Sequence, residues 1–362
     1  MRKLLAGLKL LFSNPKRFVN RLQHEFLAPS NLITSAIRRI YCIFVPNSSS
    51  LANGNDDRLL FVYDTIVNPV TFDFLHYLYY ADWLSRQAGK KHVDILLVFR
   101  SNLAHSRQES YVAAVGFDNI DWRLTNLIIP LSRLFPSVGR IYILDQAESF
   151  EIVKRYRSVH PECYGYASPK TAVVRLDVPG LNFLPVLTVC DTAQKVVEAY
   201  FPVADNRRIV TITLRTYDYI PIRNSDIEAW VDFANDLDPL KYRVVFVPDA
   251  SIHGVATLGK INNFEIFDSA CWNIELRAAL YQRAWMNMGV ASGPLAISGL
   301  MEQVRTIMID RSLDYPADYL DGILACGVTP GKRHNFYSSS CHFYLGKDNK
   351  ETILKLFNEY AD

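Results

Sequence analysis

The residues best placed to do chemistry lie in one stretch, Thr211-Ile212-Thr213-Leu214-Arg215-Thr216-Tyr217-Asp218-Tyr219-Ile220-Pro221-Ile222-Arg223-Asn224-Ser225. It begins as a β-branched apolar run and ends where a helix starts. Arg215 falls at the carboxyl end of the expected strand. Arg223 lies in the loop just before the helix, with Asn224 or Ser225 as the expected N-cap and Asp226 and Glu228 in the first turn. A guanidinium grips phosphate oxygens bidentately, and a helix start adds oriented N–H donors. Two arginines at such a junction suit a diphosphate. The plainer alternative is a pair of solvated arginines, or ion pairs with Asp218 and Asp226.

A second stretch, Asn287-Met288-Gly289-Val290-Ala291-Ser292-Gly293-Pro294-Leu295, runs from a short strand into a glycine turn, with Pro294 expected at the first helical position. Small residues there let backbone approach a ligand closely, although any βα turn uses glycine readily. Ser292, Gly293 and Pro294 therefore join Arg215, Arg223 and Asn224 as expected ligand contacts. Asp249 and Asp310 each end a strand and are read either as contacts to a ribose or base, or as turn carboxylates.

The elements that must position these residues alternate. Leu59–Tyr63 is a strand ending at Asp64. Phe72, Leu75, His76, Tyr79, Tyr80 and Trp83 recur at helical spacing between Pro69 and Gly89. Strands over Val93–Phe99 and Ile141–Leu144 and helices over Trp122–Phe135 and Glu148–Val159 follow. The pattern breaks down between Pro161 and Pro185, before a bridging helix at Asp191–Tyr200. Strands at Ile209–Leu214, Arg243–Val247, Phe264–Phe267, Met288–Ala291 and Arg305–Ile309 then alternate with helices at Asp226–Leu237, Glu275–Met286 and Thr352–Tyr360. Alternation of this kind predicts parallel sheets covered by helices. The expected class is α/β, with two facing doubly wound, Rossmann-like βα domains.

At 362 residues the chain exceeds what one core usually serves. The expected division is a helical leader and linker over 1–57, an acceptor-side domain over 58–190 and a nucleotide-sugar-binding domain over 191–362. A net charge of +2 supplies no field for nucleic acid, so none is expected as a partner. The six cysteines form no Cys-x-x-Cys pair and the eight histidines no His-x-x-x-His pair, which argues against structural zinc. Asp236 and Asp238 flank Leu237 where a helix ends before Pro239, which reads as a solvated helix end. Neither metal nor cofactor is expected. In the leader, Lys3, Lys9, Lys16, Arg17 and Arg21 interleave with Leu4, Leu8, Leu11, Phe12, Phe18 and Leu22. The apolar run is too short to span a bilayer, and no small-residue cleavage site follows it closely, so a signal peptide is not expected. Residues 1–24 fit either a basic amphipathic helix on an anionic membrane surface or a helix packed on its own protein. The expected setting is cytoplasmic.

Strand, arginine, loop and helix, followed by a strand and a Ser-Gly-Pro helix start, resemble the nucleotide-binding half of GT-B glycosyltransferases. The Leu214-Arg215 step is similar to the arginine-bearing strand end of fucosyltransferase-like members. The Ala291-Ser292-Gly293-Pro294 turn is similar to that of heptosyltransferase-like members. Two departures leave the donor open: Thr216 stands where a second basic residue is usual, and Leu295 and Ala296 where a histidine is usual. The resemblance implies transfer of a sugar from a nucleotide-diphosphate donor to a glycan or lipid-linked acceptor, in surface polysaccharide synthesis, with donor and acceptor between the two domains. It also implies a catalytic base from the first domain. Asp64, at a strand end, and Asp73, in a first helical turn, are the candidates, ahead of His76. A nucleotide-sugar epimerase and a noncatalytic sugar-nucleotide-binding scaffold are the alternatives on the same architecture.

Overall fold

The computed structural model describes residues 57–361 apart from 66, 100–112, 162–163, 165–175, 183–186, 251–260, 262 and 326. The leader and its expected membrane helix lie outside the described residues. The chain divides into two compact units. Among the described residues the first takes 57–69, 80–99 and 137–164, and the second takes 70–79, 113–136 and 176–361.

The first unit is built on strands β1 (Arg58–Asp64), β2 (His92–Val98), β3 (Val138–Leu144) and β4 (Val159–His160), all parallel, in the order β3-β2-β1-β4. Helix α1 (Asp73–Gln87) connects β1 to β2. Gly89 follows it at φ 64, the left-handed conformation that ends a helix at no steric cost. The helical chain that follows, α2 (Phe117–Arg123), a π-turn at Leu124–Ile128 and α3 (Ile129–Arg133), belongs to the second unit, as does the start of α1 up to Tyr79. Helix α4 (Gln146–Val153) is shorter than the sequence suggested. Val159 belongs to β4 instead, where it packs with Leu60, Val62, Leu96 and Val98. Asp94 lies fully buried on β2. Arg58 pairs with it at 2.9 Å, and the Tyr156 hydroxyl and the Arg140 N–H donate to it at 2.6 and 2.7 Å. Removing any one partner would leave a buried charge short of donors.

The second unit carries six parallel strands: β5 (Arg208–Thr213), β6 (Tyr242–Val247), β7 (Glu265–Ile266), β8 (Met286–Val290), β9 (Thr306–Asp310) and β10 (Cys341–Leu345). Their order is β10-β9-β8-β5-β6-β7. The chain starts in the middle, winds outward one way through β6 and β7, then returns and winds the other way from β8. This is the doubly wound order of nucleotide-binding sheets, and its reversal falls between β5 and β8. β5 reads Ile-Val-Thr-Ile-Thr and is buried on both faces, as a central parallel strand must be.

Helices α5 (Asp191–Tyr200), α6 (Ile227–Asp236), α7 (Ile274–Arg283), α8 (Gly293–Gly299), α9 (Ala317–Ala325) and α10 (Lys350–Tyr360) belong to this unit. Trp230 and Phe233 of α6 and Phe357 of α10 fill the core against Phe246, Met288 and Ile307. Truncating a fully buried aromatic such as Phe233 to alanine costs about 3–5 kcal/mol. Among the boundaries that differ from expectation, three lie near the expected contacts or strands. Asp226, not Asn224 or Ser225, caps α6 by accepting from the Ala229 N–H. Helix α7 ends at Arg283, and Met286 opens β8. Pro294 is the second residue of α8, not the first. Helix α9 and strand β10 had no counterpart in the sequence reading.

Candidate functional site

Within the second unit a cavity of about 120 Å³ opens beyond the carboxyl ends of β8 and β9. Asp73, His76, Arg223, Ser292, Asp310 and His334 supply its polar wall, and Ala296, Met308, Ile323, Val328 and Phe343 its apolar wall. Its volume suits a group of a few heavy atoms rather than a whole nucleotide, since a drug-sized ligand fills about 300–1,000 Å³.

The loop after β5 delivers Arg223. It closes a single 3₁₀ turn, Pro221–Arg223, and its guanidinium lies 5.2 Å from the ring centres of both Tyr315 and Tyr319. Nη1 donates to the Tyr319 hydroxyl and Nη2 to the Ala291 carbonyl at 3.4 Å. Nε is buried and has no protein partner. Ser292 is 8% exposed, and its hydroxyl is likewise buried without a partner. Arg223 and Ser292, each with a buried polar atom that has no partner, thus line the same cavity.

Arg215 has a different place. Its side chain is 5% exposed and does not line the cavity. Nη2 donates to the Tyr219 carbonyl at 2.6 Å, and Nη1 to the Ile220 carbonyl at 3.2 Å and to Asn224 Oδ1. Burial and the neighbouring Arg223 lower its pKa to about 10, so it remains a cation at neutral pH. The structure thus turns its guanidinium onto the loop, where sequence reasoning expected a direct phosphate contact. Asn224 is also occupied: Oδ1 accepts from the Tyr217 N–H and Nδ2 donates to the Tyr217 carbonyl, both at 3.1 Å.

The glycine turn also works differently from the expectation. A Cβ on Gly293 would stand 2.2 Å from the Cβ of Phe72, so packing against Phe72 by itself requires glycine there, and Gly293 also lines the cavity. Helix α8 has only seven residues, too few to supply much anion-attracting field. Pro294 is buried and does not line the cavity. Of the expected turn contacts, Ser292 is the one whose side chain is left for a ligand.

Asp310 lines the cavity but is already engaged. It accepts from the Ser312 N–H and hydroxyl, both at 3.0 Å, and from the Gly331 N–H at 2.6 Å. Asp249 is buried, accepts from the Ala250 N–H at 2.8 Å and does not line the cavity. Both behave as turn carboxylates. Asp236 pairs with Lys350 at 2.8 Å, and Asp238 accepts from the Leu240 N–H at 2.9 Å, as a solvated helix end would.

The two candidate bases separate. Asp64 is fully buried, and Tyr164 donates to its Oδ2 at 3.0 Å, so no acceptor hydroxyl reaches it. Asp73 is exposed in the first turn of α1, lines the cavity and interacts electrostatically with Arg223. Thr71 steers it by donating to its Oδ2 at 3.0 Å.

Sequence reasoning ranks His76 behind Asp64 and Asp73 and assigns His334 no role. The two histidines meet at the cavity wall with ring centres 5.8 Å apart, and His76 Nε2 lies 3.1 Å from the Tyr337 hydroxyl. Burial pushes His76 down to about 4, and burial together with His76 pushes His334 down to about 3, so both rings are neutral at pH 7. No motif announces a pair 258 positions apart. Among the described residues no cluster of three or more His, Cys, Asp or Glu is arranged to hold a metal ion. Cys190, Cys271 and Cys341 are free thiols.

No family model matches the chain, and no curated protein sequence does. Among solved structures, a glycosyl transferase of family 9 from Veillonella parvula DSM 2008 aligns with 87% of this chain and 99% of its own, at 11% identity and a TM-score of 0.49. The E. coli ADP-heptose LPS heptosyltransferase II aligns with 84% of this chain and 98% of its own, at 8% identity and a TM-score of 0.46. The iron-containing dodecameric glycosyltransferase TibC from enterotoxigenic E. coli H10407 aligns with 83% of this chain and 65% of its own, at 12% identity and a TM-score of 0.35. All three are glycosyltransferases, the class the sequence resembles. At these identities and scores they carry no argument about function, and the functional reading rests on the cavity.

Proposed function

We propose that this chain is a glycosyltransferase that takes a sugar from a nucleotide-diphosphate donor and passes it to a hydroxyl of a glycan or lipid-linked acceptor. The observation that carries this reading is that Arg223 and Ser292, whose buried Nε and Oγ have no partner, line a cavity beside the reversal of a doubly wound sheet. A buried donor without a partner costs about 1–3 kcal/mol, and an anionic oxygen placed between them would offset that cost.

The chemistry then runs as follows. The Asp73 carboxylate takes the proton of the acceptor hydroxyl as its oxygen attacks the anomeric carbon of the donor sugar. The bond from that carbon to the phosphate oxygen breaks, and the nucleoside diphosphate leaves with the bonding electrons. The Arg223 guanidinium and the Ser292 hydroxyl meet the negative charge that develops on it. As written, the step uses only side chains of this chain. The neutral rings of His76 and His334 hydrogen-bond without adding a competing charge.

The basic, amphipathic spacing of residues 1–24 supports contact with an anionic membrane surface on the cytoplasmic side, where a lipid-linked acceptor would be met. Incubation with a panel of nucleotide sugars and saccharide or lipid-linked acceptors tests the reading. Appearance of a glycosylated product with release of nucleoside diphosphate supports it. Epimerised donor without transfer would make the protein an epimerase. Saturable binding without turnover would make it a noncatalytic binder.

A further inference from the structure

The loop between β5 and α6 is folded around an arginine, and one residue in it is held against its own preference. Ile220 lies at φ 58, ψ 69, in the left-handed region. A β-branched side chain is rarely found there, because Cβ crowds the neighbouring carbonyl. Such a conformation persists only where surrounding contacts enforce it.

Those contacts converge on Arg215. Its guanidinium binds the Tyr219 carbonyl, the Ile220 carbonyl and Asn224 Oδ1. Its backbone N–H donates to Ser225 Oγ at 2.9 Å, and its carbonyl accepts from the Ser225 N–H at 3.0 Å, which closes the loop at its base. The Ile220 carbonyl is shared: it accepts from Arg215 Nη1 at 3.2 Å and from the Arg223 N–H at 3.1 Å. One carbonyl thus links the buried arginine to the backbone of the arginine that lines the cavity.

We propose that Arg215 is a positioning residue that holds Ile220 in its left-handed turn and so aims Arg223 into the cavity. That aim matters for catalysis only if the proposed donor site is correct; the loop's dependence on Arg215 does not need it. Lysine cannot substitute, since one ammonium on a flexible stem does not span three acceptors held by a planar fork.

The test couples Arg215→Ala with Ile220→Gly, because glycine adopts the left-handed turn freely. Two readouts are taken on the full chain: amide hydrogen exchange at Tyr217 and Arg223 to Ser225, and calorimetric titration with ADP, GDP and UDP. R215A is expected to lose protection in the loop while β5 and α6 keep theirs, and to weaken nucleotide binding by about tenfold. Adding I220G to R215A is expected to restore most of both, and R215K is expected to resemble R215A. If R215A does not fold, the I220G/R215A chain serves alone: it folds under this proposal and stays unfolded if Arg215 instead supports the core. If the wild-type chain binds none of the three nucleotides, the donor-site reading fails, and the exchange readout alone decides the role of Arg215. Unchanged loop protection in R215A overturns the proposal. So does lost binding with a protected loop that I220G does not relieve, which would make Arg215 a ligand contact.

Discussion

Arg223 Nη2 donates to the carbonyl of Ala291 at 3.4 Å and so ties the loop that follows β5 to the turn that follows β8. These strands pair in parallel from Val210 with Met286 to Thr213 with Gly289, and the sheet reverses its winding between them. The cationic group of the cavity is therefore referenced to both sides of the reversal.

Gly293→Ala is expected to destabilise the fold. The added Cβ would lie 2.2 Å from the Phe72 Cβ, a contact that forces the two segments apart. Overpacking of this kind costs about 1–3 kcal/mol. Thermal denaturation should show a lowered Tm for G293A. Equal Tm values for wild type and G293A would contradict the packing.

Stability should fall on acidification below about pH 6.5. His76 and His334 are held down to about 4 and about 3 in the folded chain, against 6.5 when unfolded. Between those values the unfolded chain binds more protons, so protonation pulls the equilibrium toward unfolding as pH drops. Tm measured from pH 7.5 to 4.5 should decline, and His76→Gln, which retains a polar partner for Tyr337, should make the decline shallower. An unaltered slope in H76Q would mean that the ring is not held neutral by the fold.

Asp73→Asn should lower kcat for sugar transfer by about 10²–10⁴-fold, the usual contribution of a general base, with donor affinity nearly unchanged. Asp64→Asn should leave transfer within a few-fold, because that carboxylate is buried against Tyr164. The reverse pattern, measured by steady-state kinetics, would move the base to Asp64.

Deleting residues 1–24 should leave a folded chain that no longer sediments with vesicles rich in anionic lipid at low salt. If the complete chain ignores such vesicles, the leader has no membrane role.

The sequence made the framework of the site legible. Apolar β-branched runs such as Ile209–Thr213 read as central strands, so the order of elements and strand ends near Arg215, Ala291 and Asp310 followed. Local spacing could not say where a side chain points. Arg215 and Arg223 look alike on paper, yet one turns back onto loop carbonyls and the other onto the cavity, a difference set by the left-handed turn at Ile220. Gly293 reads the same whether a ligand or Phe72 excludes its side chain. His76 and His334 meet only through the fold, and β10 was hidden because His342 interrupts a short apolar run that follows three serines. Helix α9 was masked in the same way by Gly322 in its middle.

Titration of the full chain and its R223A variant with nucleoside diphosphates, by calorimetry, addresses the central claim most directly. The account predicts saturable binding of at least one nucleoside diphosphate to the wild-type chain. It predicts a loss of about 1.5–3 kcal/mol in R223A, roughly ten- to 150-fold in Kd, as expected for a lost hydrogen bond to a charged group. The variant should keep the Tm of the wild type to within a few degrees. Binding of equal strength by wild type and R223A would contradict the account and place the anion site elsewhere in the chain.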